Sequence, residues 1–511
     1  MRIPTPNSVG FPEKYDRWRP GQEEACSRLL EGGTSRFILL MAPTGFGKSL
    51  VYTMAAKLLK GRTLILTSTK GLQSQIVSDF GDHVVDIRGR NNYKCRMNTK
   101  VTCDQGLCVF GVKCPMMSQG GCPYYDRLED ALRAKIVVTN YSYWMAQLEY
   151  STGLGFFNTI ILDEAHAAPE HILNHLGVKV SRKWDGRFIE MDENNLPSDH
   201  TRWRQWARNG IMALGALMNR AWEKGNEKEF VNLKRTEGKM SRVSKMDNSW
   251  VWEESPDGIH FSPVWPARYA EKILFNKAPK VVLTSATVVE RTTALLGISR
   301  GNYESLTFPH PFRVRNRPVI HIPTVRLNHR TSPAEHREWI RKVDSIIRTR
   351  NNTKGIIHTV SYARKDMLIR YSRYSGRMIS HSNRNVETMV AEFKRSSKPL
   401  ILVSPSMATG WDFPGDECRW QIIIKVPYPD SRGAVARAQH KVDPEFSSYV
   451  AAQQLVQAVG RGVRSEDDWC ETFILDNNME WFIRKNRKML VDWFVEAYRV
   501  SNIIPKPLSG R

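Results

Sequence analysis

Ten short runs of aliphatic and β-branched residues, each passing directly into a turn or a helix start, recur along the 511-residue chain. Runs of this kind without polar alternation suit parallel strands covered by helices on both faces. Five form a first group (Phe37–Leu40, Thr63–Leu66, Ile136–Thr139, Thr159–Leu162, Val281–Thr284) and five a second (Val319–Ile322, Gly355–His358, Leu400–Val403, Gln421–Lys425, Phe473–Asp476). Two α/β domains with parallel sheets fit this pattern better than one, and the expected division is residues 1–310 and 311–511. The stretch between Leu162 and Val281 far exceeds a βα connection of about 2 to 6 residues, so an inserted subdomain is expected at about residues 167–278. Helical spacing over Arg202–Glu223 makes that insert mainly helical. Seven of the 15 tryptophans (Trp184, Trp203, Trp206, Trp222, Trp250, Trp252, Trp265) supply a core of its own. A smaller insertion, residues 88–125, is marked by cysteines.

Lys and Arg exceed Asp and Glu to give a net charge of +23, and 41% hydrophobic with 10% aromatic residues exclude a disordered basic tail. The excess therefore sits on folded domains and attracts a polyanion: nucleic acid, an anionic membrane surface or an acidic partner. Residues 311–400 carry 20 basic and six acidic side chains, so most of the field is placed on the second domain. No apolar run approaches the roughly 18 residues of a membrane span, and Met1–Pro20 is too polar for a signal peptide. The expectation is a cytoplasmic protein.

After Phe37–Met41 comes Ala42-Pro43-Thr44-Gly45-Phe46-Gly47-Lys48-Ser49, followed by the helical run Leu50–Leu59. Strand, glycine-rich turn, Lys-Ser and helix in that order make a phosphate-binding loop. Gly45 and Gly47, next to Thr44, let backbone N–H groups close on phosphate oxygens. Lys48 reaches the β and γ phosphates of ATP, and Ser49 ligates Mg²⁺ at the helix N-terminus. Ala42 stands where the general pattern has its first glycine. The run Thr159–Leu162 ends in Asp163-Glu164-Ala165-His166. An acid at the carboxyl end of a buried strand is where a Mg²⁺ ligand sits beside such a loop, so Asp163 is the expected ligand. Glu164 is the expected general base, orienting and deprotonating the attacking water. The same residue types also make an ordinary helix cap with first-turn acids, which remains open on this segment alone. Further on, Gln457-Ala-Val-Gly460-Arg461-Gly-Val-Arg464 puts two arginines three apart on one helical face, where both can approach a γ-phosphate charge.

These motifs, in this order, resemble those of superfamily 2 helicases, specifically the XPD/DinG branch that carries an iron–sulfur cluster. Gln22 in Arg19-Pro-Gly-Gln22 resembles the glutamine that reads adenine. Thr67 to Gln75 resembles motif Ia, Asp163 to His166 is a DEAH box, and Leu283-Thr-Ser285-Ala-Thr287 resembles motif III, which couples hydrolysis to strand movement. Gly355 to Tyr362 is similar to motif IV, Ser404 to Asp416 to motif V with Asp412 at the nucleotide, and Gln457 to Arg464 to motif VI. The resemblance implies two RecA-like lobes that clamp ATP between them, with His166, Asp412 and Gln457 lining the nucleotide site. It also implies Arg464 as arginine finger with Arg461 as its partner, and an arch-like role for the larger insertion.

Five of the eight cysteines fall between Cys95 and Cys122, which in a reducing compartment suggests a metal site before it suggests disulfides. A leading Asn-Tyr-x-Cys95 and a closing Cys122-Pro-Tyr-Tyr resemble the ends of the branch's iron–sulfur insertion. A four-iron cluster needs four thiolates. The assignment is Cys95, Cys108, Cys114 and Cys122, with Cys103 as the alternative ligand. Zinc accepts the same donors and stays a rival. Residues 88–122 carry six basic side chains and one acid, and Tyr93, Tyr124 and Tyr125 lie beside the cysteines. This suits phosphate pairing and base stacking on a single strand, or tyrosines packed against the metal.

The expected activity is ATP-dependent DNA unwinding, with 5′ to 3′ movement implied by the resemblance. ATP, Mg²⁺ and an iron–sulfur cluster are the expected cofactors. Single-stranded or forked DNA is the expected partner, in repair or replication, and the protein is expected to be a monomer in a bacterial or phage-infected cell. The alternatives are a translocase that separates no duplex, a DEAH-type RNA helicase, and a non-enzymatic nucleic-acid-binding protein with structural zinc.

Overall fold

The computed structural model describes residues 3–110, 113–150, 153–181, 196–382, 385–405 and 411–508. In the first part of the chain, β1 (Phe37–Met41), β2 (Thr63–Thr67), β3 (Val85–Asp86), β4 (Ile136–Asn140) and β5 (Thr159–Asp163) are separated by helices. The larger insertion carries β6 (Val178–Val180), β7 (Trp250–Ser255) and β8 (Gly258–Pro263), after which β9 (Lys280–Ser285) and β10 (Tyr303–Thr307) complete the first sheet. Its order is β10-β1-β9-β5-β2-β4-β3, with every neighbouring pair parallel. The second sheet uses β11 (Val319–Val325), β12 (Gly355–His358), β13 (Met378–Ser380), β14 (Ile401–Ser404), β15 (Trp420–Ile423), β16 (Glu471–Asp476) and β17 (Tyr498–Val500). It runs β13-β14-β12-β15-β16-β11-β17, again all parallel.

All ten expected runs form strands, with β15 ending at Ile423 rather than Lys425. The interior strands are buried along almost their whole length, as in Thr63–Thr67 and Thr159–Asp163, because helices cover both faces. Those helices show the matching signature. Pro333–Thr349 opens with a capping box in which Ser332 Oγ accepts from Glu335 N and Glu335 accepts from Ser332 N, and it buries Trp339, Ile340, Val343, Ile346 and Ile347.

The larger insertion contains the helices His200–Glu223 and Glu227–Ser244 and, beyond expectation, a three-stranded antiparallel sheet ordered β6-β8-β7. Its tryptophans do build a core. Trp203 is fully buried, edge-on to Phe261 at 4.9 Å and to Trp206 at 5.2 Å. Trp222, at the end of the first long helix, is 54% exposed, and Trp184 lies outside the described residues. No helix among the described residues is long and apolar enough to cross a membrane.

Candidate active site

The first sheet's strand order puts three exits side by side. In register, Met41 of β1 lies against Ser285 of β9, and Thr284 of β9 against Asp163 of β5. The phosphate-binding loop leaves β1, the Asp-Glu pair leaves β5, and Ser285-Ala-Thr287 leaves β9 between them. This is the carboxyl edge of a parallel sheet, where ligands of such folds bind.

Gly45 and Gly47 have φ of +79° and +84°, the left-handed region that glycine enters without strain. The loop is also tightly enclosed: a Cβ on Gly45 would lie 2.4 Å from the Phe312 ring, and one on Gly47 would lie 2.4 Å from Gln22 Nε2. Gln22 is buried against the loop, donating to Phe46 O at 2.6 Å and accepting from Arg19 N at 2.9 Å. Lys48 opens the helix Lys48–Leu58 and donates to the carbonyls of Ala42 (3.1 Å) and Pro43 (3.3 Å). Ser49 follows in the first turn.

Asp163 is buried at the end of β5, and its main-chain carbonyl accepts from the Tyr141 hydroxyl at 2.9 Å. Burial and the adjacent Glu164 charge push its carboxyl above the ordinary range. A divalent cation alongside would oppose that rise. Glu164 is itself held in the left-handed region, φ +49°, an unusual setting for a residue with a side chain. Burial would raise its pKa, but His166, Lys48 and Ser285 outweigh burial and keep it ionised. Its Oε2 accepts from Ser285 Oγ at 3.2 Å, with His166 Nδ1 also at 3.2 Å. His166 Nδ1 and Ser285 Oγ are 2.8 Å apart.

A residue from the other sheet completes this cluster. Gln457, near the end of the helix Phe446–Val459, directs its amide to Thr287 Oγ1 (3.2 Å), Glu164 Oε2 (3.5 Å) and His166 Nδ1 (3.5 Å). The structure thus brings together Glu164, His166 and Gln457 as expected residues. It adds the hydroxyls of Ser285 and Thr287, whose motif the sequence marked without assigning them to the site. The two arginines behave differently. Arg464 pairs with Asp412 and donates to Gly460 O at 2.7 Å, while buried Arg461 donates to Trp411 O at 2.6 Å. Burial pushes the Arg461 guanidinium down to about 10, with the Arg464 charge acting the same way and Asp412 and Glu164 opposing it, so it is charged at neutral pH. Motif V residues 406–410 lie outside the described residues.

His310 was not legible as a site residue. It sits between β10 and β11, edge-on to Phe312 (5.4 Å) and Trp493 (5.2 Å), with Nδ1 accepting from Phe312 N. Burial first, then the charges of Arg317, Arg464 and Lys48, push its pKa down to about 3.

The five clustered cysteines line one small cavity, together with Met97, Met116 and Tyr125. Backbone pairing of Cys95 N with Val101 O and of Cys103 N with Tyr93 O folds the first two together. Cys122 stands at the N-cap of the helix Pro123–Arg133. Cys103 is 4% exposed and as much part of the cavity wall as the four residues preferred from sequence. Among the described residues no three His, Cys, Asp or Glu side chains meet the spacing of a single-ion site. Tyr124 is fully buried, its hydroxyl 3.1 Å from that of Tyr143, so it packs inward and offers no face to a base.

A phosphate-binding loop and a DEAH pair on one parallel sheet, met by a glutamine from a helix of the second domain, are the parts of a P-loop ATPase. Two family models match, a helicase C-terminal domain over residues 346–497 and the res subunit of type III restriction enzymes over residues 16–186. ATP-dependent DNA helicase YoaA of Escherichia coli is 21% identical over 89% of this chain and 90% of its own length, and ATP-dependent DNA helicase DinG of Photobacterium profundum is 24% identical over 48% and 38%. Among solved structures, an XPD helicase aligns with a TM-score of 0.68 at 17% identity over 95% of this chain and 100% of that one, and Xpd4 of S. tokodaii with 0.59 at 15% over 94% and 100%. These matches support a superfamily 2 helicase of the XPD/DinG type.

Proposed function

We propose that this chain is an ATP-dependent DNA helicase that moves 5′ to 3′ along a single strand, with residues 1–310 and 311–511 as its two lobes and the division falling between β10 and β11. Both curated relatives are named as ATP-dependent DNA helicases. The observation that carries the reading is Gln457. A side chain of the second lobe touches the candidate base Glu164 of the first, so the site that activates water lies in the seam between lobes. Relative movement of the lobes assembles or breaks that site, which is how hydrolysis can drive motion.

In this scheme Lys48 leaves the Ala42 and Pro43 carbonyls for the β and γ phosphates, and Ser49 and Asp163 would hold Mg²⁺. Mg²⁺ bound there would neutralise phosphate charge. Glu164, oriented by Ser285 and His166, takes the proton of the attacking water. Arg464 exchanges Asp412 for the γ-phosphate, with Arg461 beside it. For the strand itself, Arg326, Arg364 and Lys425 gather near Asp476 at the carboxyl ends of the second sheet, giving a cationic surface for phosphates.

The cavity lined by five thiols fits a thiolate-held cluster, with Cys95, Cys108, Cys114 and Cys122 as ligands and Cys103 as the alternative. A cluster held there would crosslink a segment whose Cys103, Cys122 and Tyr124 already belong to the first lobe's core.

The test is ATP hydrolysis with and without single-stranded DNA, and displacement of 5′- and 3′-tailed duplexes in DNA and RNA. Lys48→Ala should abolish hydrolysis. Glu164→Gln should bind ATP and lose roughly 10² to 10⁴ in turnover. Hydrolysis retained in Lys48→Ala would overturn the site, and stimulated hydrolysis without displacement would make the protein a translocase only.

A further inference from the structure

Immediately beyond Thr287 the first lobe forms a short helix, Glu290–Leu295, that reaches into the second lobe. Arg291 pairs with Asp443 and lies 3.3 Å from Glu445. The Thr292 and Tyr449 hydroxyls, both on buried residues, are 2.8 Å apart. Leu295, 1% exposed, is part of the same apolar cluster as Tyr449, Leu455 and Val456 of the second lobe. Trp265 of the larger insertion stacks obliquely on Phe446 at 5.6 Å. The contacts of Arg291, Thr292 and Trp265 grip the start of the helix Phe446–Val459. At its other end Gln457 returns to Thr287 and Glu164.

One second-lobe helix is therefore held at two points by one short first-lobe segment, residues 285–295. Tyr449 and Gln457 are eight positions apart, which at 1.5 Å per residue is about 12 Å along the axis. A helix transmits an axial shift nearly rigidly, so whatever sets the position of Tyr449 sets the position of the Gln457 amide. We propose that Arg291, Thr292 and Tyr449 form a clamp that positions Gln457 on Glu164 and Thr287, and that turnover of ATP depends on this clamp although none of its residues touches the nucleotide site. The clamp rests on the ATPase reading above. It is a separate device because it acts on the placement of the second-lobe glutamine and not on phosphate binding.

The signature is a loss of kcat without loss of ATP affinity. Misplacement of a catalytic group by about 1 Å can cost roughly 10²-fold, so Arg291→Met should lower DNA-stimulated kcat by about 10- to 100-fold and Tyr449→Phe by a few-fold to about tenfold, with KM for ATP within about twofold of wild type. Arg291→Lys, which retains a charge for Asp443 and Glu445, should recover part of the loss. The deciding measurement is a double-mutant cycle: if Arg291 acts through Gln457, Arg291→Met combined with Gln457→Ala should be no slower than Gln457→Ala alone. Multiplicative losses, a raised KM at unchanged kcat, or no effect of Gln457→Ala would overturn the clamp. Should Arg291→Met fail to fold, Tyr449→Phe, which deletes one oxygen, carries the same cycle. Failure of the clamp alone leaves a wild type whose hydrolysis still requires Lys48. A wild type without Lys48-dependent hydrolysis overturns both readings.

Discussion

Gly460 offers a test of the closed arrangement with a single methyl group. Its φ and ψ of −72° and 6° suit alanine, so Gly460→Ala introduces no backbone strain within the second lobe. The new Cβ would instead lie 2.7 Å from Thr44 Oγ1, 2.9 Å from Thr44 Cγ2 and 3.3 Å from Thr44 Cβ, all across the seam. Because both branches of the threonine, Oγ1 and Cγ2, face the new methyl, a turn of the side chain leaves one of them in the way, and the lobes must separate by several tenths of an ångström. Overpacking of this kind costs about 1 to 3 kcal/mol, here charged to the closed state only. At about 1.4 kcal/mol per tenfold, the closed population and with it DNA-stimulated kcat should fall by roughly 5- to 150-fold. The melting temperature should hold or rise slightly, since replacing glycine restricts the unfolded chain. The assay is steady-state ATP hydrolysis alongside thermal denaturation. Removing the opposing atoms with Thr44→Ala should abolish most of the Gly460→Ala effect measured in that background. Full activity in Gly460→Ala, or an equal loss in the Thr44→Ala background, would show that the lobes do not meet through these residues.

Two further outcomes follow. His310 is neutral in the fold down to about pH 3 but takes a proton near 6.5 in the unfolded chain, so its contribution to stability is complete above about 6.5 and is lost as pH falls below that, by about 1.4 kcal/mol per unit at most; denaturation at pH 5 and pH 7 should show a smaller difference in His310→Asn than in wild type, and an equal difference would place the titration elsewhere. Anaerobic purification should yield iron, sulfide and a visible chromophore that disappears in Cys122→Ser, whereas stoichiometric zinc without colour would replace the cluster by a structural ion.

The four sheet strands that sequence did not mark are β3, β10, β13 and β17, and all four are edge strands. The reason is physical. An interior strand such as Thr159–Asp163 is buried along its whole length and carries an aliphatic run, Ile160–Leu162, whereas Tyr303–Thr307 is largely half-buried or exposed and reads as Tyr-Glu-Ser-Leu-Thr. Edge strands are drafted by backbone pairing with a neighbour already in place, and that leaves no run of hydrophobic residues to find. The antiparallel sheet in the larger insertion escaped for a related reason, since helical spacing and tryptophan content say that a core exists but not which layers enclose it.

The candidate site divides along a similar line. Lys48, Ser49, Asp163 and Glu164 could be marked as candidates because each stands within a few residues of the strand end that positions it. What the sequence could not show is where Arg464 points in this arrangement. Spacing on a helical face permits both arginines to approach a γ-phosphate, yet Asp412, 52 positions earlier, holds Arg464 inside its own lobe. Gln457 lies 293 positions from Glu164, and the clamp pair Thr292–Tyr449 is 157 apart. Contacts of that separation have no periodicity to mark them, and in the proposed scheme they are the ones that couple hydrolysis to lobe movement. Local motifs thus mark the candidate nucleotide site, while the proposed coupling rests on pairs that only the folded seam brings into range.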